Sequence, residues 1–223
     1  MSSLGVILPA AGRSVRYGGD RNKLLELLDG RPVIAHAASA FLSRPDVKML
    51  VVVTADQSTI AQALPQPLDP RIVFCRGGAS RAESVRNGLA AIGPAIEWVA
   101  VHDAARPLVS QKLIDRTLSV ASEHGAAVPA MPVHLTIKQA RGPLPAAVER
   151  TIPRDTLWAM QTPQIMRRDA LAGAFERCPL PLSAVTDDVQ LLELTGQPVW
   201  LAEGEERNLK ITTRLDLRIA ELL

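Results

Sequence analysis

Cysteine is scarce in this chain. Cys75 and Cys178 are the two present among 223 residues, far apart and without a CxxC pair or a Cys/His companion, which excludes a disulfide framework and a zinc site of ordinary spacing. Both read as reduced thiols. An excess of one charge is also lacking: 25 Lys and Arg against 23 Asp and Glu leave a net charge of +2, spread along the sequence. The basic stripe of a nucleic-acid binder and the polybasic patch of a membrane anchor are therefore both missing, and neither partner is expected. Nor is there a long apolar run. The segment from Leu4 to Ala11 is too short to span a bilayer and has no basic region ahead of it, so it reads as a buried strand and a cytoplasmic location is the default expectation.

Three sequence signatures are absent as well. No GxxxxGK[ST] loop and no GxGxxG follow the first apolar run, which lowers the kinase and dehydrogenase readings. Ser80 and Ser84 lack the GxSxG setting of a hydrolase nucleophile, and His102 has neither a second histidine nor a nucleophile in register. Ser-His-Asp chemistry finds no support.

What is present is the composition of an ordinary folded globule, 47% hydrophobic and 22% charged. A length of 223 residues suits one α/β domain spanning residues 1–223. Apolar strand segments alternate with helical ones: Val6 to Ala11, a helix from Pro32 to Leu42, the run Met49 to Thr54, Ile72 to Cys75, a helix from Ser80 to Ile92, and Trp98 to His102. Ser110 to His124 is helical and stops at Gly125, and Ala126 to Met131 is again apolar. Unbroken apolar strands in this order predict a Rossmann-like, mostly parallel sheet with helices on both faces. The pattern breaks between residues 133 and 152, where alternating segments flank Arg141-Gly142-Pro143-Leu144-Pro145 and predict a projecting β-hairpin arm. Such an arm is either a solvated surface hairpin or a device that pairs two subunits.

In open α/β sheets, ligands bind beyond the carboxyl ends of the strands. Four polar clusters lie at such places: Ala10-Ala11-Gly12 with the loop to Lys23, Gly77-Gly78 with Ser80 and Arg81, Asp103 to Arg106, and Thr186-Asp187-Asp188. The first loop combines Gly12, Gly18 and Gly19 with Arg13, Arg16, Arg21 and Lys23, a mixture that lets backbone N–H groups and cations approach a polyphosphate together. Asp103 could orient a hydroxyl, hold a metal through water, or simply pair with Arg106.

With these residues assembled, the chain resembles the 2-C-methyl-D-erythritol 4-phosphate cytidylyltransferase family along essentially its whole length. The matching pieces are Pro9-Ala10-Ala11-Gly12 with Arg16 and Lys23, then Gly77-Gly78 with Arg81 and Ser84, then Val101-His102-Asp103-Ala104-Ala105-Arg106-Pro107. They continue with Thr136 and Lys138, Arg154, Leu157-Trp158, Gln161-Thr162-Pro163-Gln164, Thr186-Asp187 and Asn208-Leu209-Lys210-Ile211-Thr212. The resemblance implies transfer of CMP from CTP to a sugar-alcohol phosphate with release of pyrophosphate. It implies Arg16, Lys23, Arg154 and Lys210 as catalytic residues, and Ala10, Ala11, Gly12, Gly77, Gly78, Ser84 and Ala104 around the nucleotide. Asp103, Arg106, Thr136 and Thr186 would hold the acceptor. It further implies magnesium on the CTP phosphates and a homodimer in which the arm brings Arg154 to a neighbouring site. The chain departs from the family pattern at Ser14, Asn22, Leu24, Ala79 and Leu135, and Asn22 in place of a proline is expected to leave Lys23 less restrained. Two alternatives stand beside this reading: a ribitol- or glycerol-phosphate cytidylyltransferase, and a non-catalytic homologue that kept the fold.

Overall fold

The apolar segments near the N-terminus become the middle of one sheet. The structure, a computed structural model, describes residues 3–12, 15–18 and 22–223, with backbone alone at 15 and 16. β1 (Leu4–Pro9) is followed by α1 (Val15–Gly18), the two-residue strands β2 (Leu27–Leu28) and β3 (Arg31–Pro32), and α2 (Val33–Leu42). Then come β4 (Val47–Thr54), α3 (Gln57–Ala63), β5 (Ile72–Arg76), α4 (Arg81–Ala91), β6 (Trp98–Val101), α5 (Gln111–His124) and β7 (Ala126–Pro132). β8 (Ile137–Ala140) and β9 (Val148–Ile152) precede β10 (Trp158–Met160), β11 (Gln164–Arg167) and α6 (Arg168–Arg177). The chain ends with α7 (Asp188–Leu194), β12 (Trp200–Glu203) and α8 (Arg214–Ala220).

The sheet runs β10-β7-β11-β6-β1-β4-β5, with β12 also paired to β7. β1 is parallel to β4 and β6, and β4 is parallel to β5. β11 lies antiparallel to both β6 and β7, and β10 lies antiparallel to β7, so two reversed strands interrupt a sheet that is otherwise parallel. The alternation of side chains sorts each strand between two cores. Leu4, Val6 and Leu8, with Leu50, Val52, Trp98 and Ala100, face the helices α2 and α5. Ile7, Val51, Val53, Val99 and Val101 face α4, α6 and α7 on the other side. Both faces are covered, which is why these strands read as continuous apolar runs.

Local chemistry sets the helix ends. Ser80, Ser110, Asp187 and Thr213 each accept a hydrogen bond from a backbone N–H in the first turn of α4, α5, α7 and α8 respectively. Gly125, at φ 94°, ends α5 in a conformation that favours glycine. α4 packs closely enough on β1 and β4 that a Cβ on Gly88 would lie 2.7 Å from Cγ2 of Ile7. Between residues 133 and 152, β8 and β9 form a separate two-stranded antiparallel hairpin, as expected, with nearly every residue exposed or half-buried. α3, β10 and β11 are absent from the alternation read in the sequence. Among the described residues, no helix is long and apolar enough to cross a membrane.

Candidate active site

The carboxyl ends of β1, β5 and β6 open on one cavity of about 910 Å³. Ala10, Ala11 and Gly12 form its wall beyond β1, Gly77, Gly78 and Ser84 beyond β5, and Asp103 and Ala104 beyond β6, while Lys23 and Lys210 supply cations. The glycines answer to contact as well as to conformation. A Cβ on Gly77 would lie 2.6 Å from that of Ala11, and one on Gly78 would lie 2.4 Å from Cβ of Glu83, so a side chain at either position would force the walls apart. Ser84 Oγ accepts from the Gly78 N–H at 3.1 Å and donates to the Ser80 carbonyl at 2.9 Å, which fastens the loop to the first turn of α4.

Asp103 is the acid on the cavity wall, and cations crowd it. Lys210 Nζ lies 2.9 Å from its Oδ2 and Arg106 Nε 3.4 Å from the same oxygen, while Arg81 Nη2 stands 3.6 Å from Oδ1. Burial works to raise the Asp103 carboxyl, yet Lys210, Arg81 and Arg106 together hold it well below the usual carboxylate range. It is an acceptor, not a proton donor. Lys23 Nζ donates to the Ile211 carbonyl at 2.8 Å, and Asn22 Oδ1 accepts from the Leu24 N–H at 3.1 Å. Asn22 thus caps the short 3₁₀ turn that carries Lys23 and provides a restraint where the family's proline is missing.

Four of the expected residues lie off this wall. Arg106 sits behind Asp103, donating through Nη1 to the Asn208 carbonyl at 2.7 Å, and burial lowers its pKa. Thr136, Arg154 and Thr186 are exposed; Arg154 donates to the His134 carbonyl, and Thr186 is held by Gln190. Of Arg16 only the backbone, within α1, is described, and Arg13, Gly19 and Arg21 lie outside the described residues.

The residues that sequence reasoning left without a role are the ones that tie the walls together. Thr162 Oγ1 accepts from the Asp103 N–H at 3.0 Å, and its hydroxyl proton is directed at His102 Nδ1, 3.1 Å away. His102 Nε2 faces the Arg106 carbonyl at 3.1 Å, and a carbonyl only accepts, so Nε2 carries the proton of a neutral ring. Gln161 Oε1 takes the Glu205 N–H and the Asn208 side-chain amide, while Asn208 also donates to the Thr162 carbonyl. Gln164 Oε1 accepts from the N–H groups of Asp188 and Val189, and its Nε2 donates to Asp187. The Gln161-Thr162-Pro163-Gln164 string therefore joins the Asp103 turn, the Asn208 segment and the start of α7. Arg81, which the sequence places with Gly77-Gly78 but gives no role, is the second such residue. Its position just after Ser80, the N-cap residue, aims it into the cavity, and besides Asp103 it pairs with the fully buried Asp188, Nη1 to Oδ2, at 2.7 Å. Burial works against the charge on Arg81, but Asp188 and Asp103 hold its pKa above the ordinary value.

The sequence profile described as 2-C-methyl-D-erythritol 4-phosphate cytidylyltransferase (IspD) matches residues 4–223. A protein of that name from Gloeobacter violaceus is 41% identical, with 98% of this chain and 94% of the relative covered. Another from Rhodopirellula baltica is 40% identical, with 100% and 95% covered. The crystal structure of Francisella tularensis 2-C-methyl-D-erythritol 4-phosphate cytidylyltransferase superposes with a TM-score of 0.85 at 31% identity, over 99% of each chain. A profile match over nearly the full length, with relatives above 30% identity, places the chain in the 2-C-methyl-D-erythritol 4-phosphate cytidylyltransferase family.

Proposed function

We propose that this chain transfers CMP from CTP to 2-C-methyl-D-erythritol 4-phosphate and releases pyrophosphate. The observation that carries the reading is the convergence of the glycine-walled loops, Lys23, Asp103 and Lys210 on one cavity, in a chain of this family. An oxygen of the acceptor phosphate attacks the α-phosphorus of CTP in line, the bond from α-phosphorus to the bridging oxygen breaks, and pyrophosphate leaves with its electron pair. A phosphate monoester is already largely ionised near neutral pH, so no general base is required. The protein's task is to position two anions and to offset charge as it moves to the leaving group.

Backbone at Ala10 to Gly12, Gly77, Gly78 and Ala104, with Ser84, forms the nucleotide side of the cavity, where little side-chain bulk stands between ligand and main chain. Lys23 and Arg16 act on the triphosphate, and Lys210 stands between the two reactants. Asp103 accepts from a hydroxyl of the acceptor, with Arg106 as its support. Thr136, Thr186 and Arg154 complete the acceptor side in a homodimer whose β8–β9 hairpin reaches a second copy; the exposure of Leu135, Leu144 and Val148 on and beside that hairpin supports this.

The described residues contain no cluster of three acids, histidines or cysteines that could hold a metal, and Asp103, an acid on the cavity wall, already lies beside three cations. They do not fit a resident metal site. Magnesium enters as part of the substrate, on the CTP phosphates.

The test is pyrophosphate release from each nucleoside triphosphate with magnesium, paired with methylerythritol, ribitol and glycerol phosphates. Release confined to CTP with methylerythritol phosphate supports the proposal. Preference for another acceptor changes the substrate, and silence with every pair makes the chain a non-catalytic homologue.

A further inference from the structure

Asp188 has no place in the reaction as derived so far, yet it is a carboxylate with no exposed surface. Its Oδ1 has no hydrogen-bond partner among the described residues, and its Oδ2 meets Arg81 as an ion pair at 2.7 Å. Burying a carboxylate so incompletely satisfied is costly unless the charge serves a neighbour. That neighbour is Arg81, which stands between two acids at unequal distances: 2.7 Å from Asp188 and 3.6 Å from Oδ1 of Asp103. The other oxygen of Asp103 is already engaged by Lys210 and Arg106. Oδ1 is left with one long contact and no described hydrogen bond, on the wall of the cavity.

We infer that Asp188 is a positioning residue for the acceptor: it holds Arg81 away from Asp103 and so leaves Oδ1 of Asp103 to accept from an acceptor hydroxyl. Without the charge of Asp188, Arg81 closes on Oδ1 from its present 3.6 Å, and the substrate hydroxyl must then compete with a guanidinium for that oxygen. This rests on the cavity reading above, in which Asp103 faces the acceptor. The charged partners of Arg81 are Asp103 and Asp188, not the glycine loops of the nucleotide side.

The experiment compares the unaltered chain, Asp188→Asn and the double variant Arg81→Gln/Asp188→Asn. It measures KM for methylerythritol phosphate, KM for CTP and the thermal midpoint of each. Asp188→Asn is expected to raise the acceptor KM about tenfold while the CTP KM stays within about twofold, the scale of one charge-assisted hydrogen bond lost to competition. The double variant, with no guanidinium to close on Asp103, brings the acceptor KM back to within about fivefold of the unaltered value. An unchanged acceptor KM in folded Asp188→Asn, equal rises for both substrates, or a double variant beyond that fivefold overturns the inference. Should Asp188→Asn fail to fold, the charge-balanced double variant settles the matter by the same limit. No turnover by the unaltered chain with any acceptor overturns the cavity reading and this inference together, whereas normal turnover with the wrong variant pattern overturns the inference alone.

Discussion

His102 offers the sharpest physical test of how the Asp103 turn is held. The ring is fully buried, lies 5.0 Å from that of Phe41, and is fixed between the Thr162 hydroxyl and the Arg106 carbonyl as a neutral imidazole. Burial lowers its pKa from 6.5 to about 4. Above pH 6.5 the folded and unfolded chains both carry a neutral ring, and stability has its full value. Below 6.5 the unfolded chain takes up a proton that the folded chain refuses until about pH 4, so stability is lost as pH falls through this window. At pH 5 the loss relative to pH 8 is about 2 kcal/mol. Urea unfolding, followed by tryptophan fluorescence at fixed chain concentration, reads this as a fall in the midpoint of about 1 M. His102→Gln keeps a side-chain amide that can donate and accept but cannot take up the proton. That variant should be less stable at pH 8 and should lose less stability between pH 8 and pH 5. Asp188, whose pKa burial raises, is common to both chains, so any part it has in the pH dependence cancels in the comparison. Parallel midpoints for the two chains from pH 8 to pH 5 would refute the argument.

Other expectations follow from single contacts. Lys23→Ala should leave the thermal midpoint nearly unchanged and lower kcat for pyrophosphate release about a hundredfold, as for loss of a preorganised charge; near-normal turnover removes Lys23 from the reaction. Gly88→Ala drives a methyl to 2.7 Å from Ile7 Cγ2 and 3.0 Å from Val53 Cγ2, and should cost about 1–3 kcal/mol in urea unfolding; an unchanged midpoint would mean that α4 shifts freely. Gln164→Leu releases the N–H groups of Asp188 and Val189 and the Asp187 carboxylate, so the acceptor KM should rise more than the CTP KM; equal changes would count against a role in orienting α7. If the hairpin pairs two copies, light scattering should give twice the chain mass, and deletion of residues 141–145 should leave CTP binding largely intact. A monomer would end the shared-site proposal.

Much of this molecule was legible in one dimension. Apolar runs such as Val6 to Leu8 and Met49 to Val53 announce strands buried on both faces, because a covered sheet leaves no polar side to alternate with. Caps such as Ser110 and the stop at Gly125 mark helix ends through bonds made within a few residues. The glycine loops, Lys23 and Asp103 could be placed at one rim because strand ends in a parallel sheet share a rim. Other features are decided by partners distant in sequence. β11 was hidden because its reversed direction depends on pairing with β6 and β7. The hydrogen bonds of Gln161, Thr162 and Gln164 span from 23 to 60 positions, so nothing beside them in sequence shows which groups they satisfy. Arg81 and Asp188 stand far apart along the chain and become a pair only when α4 and α7 pack on the same face of the sheet. The covered sheet, the helix ends and the rim on which chemistry gathers follow from side-chain period and local hydrogen bonds, and so are written along the chain. Which buried charges face one another depends on the packed fold, because a low-dielectric interior couples groups by distance in space and not by distance along the chain.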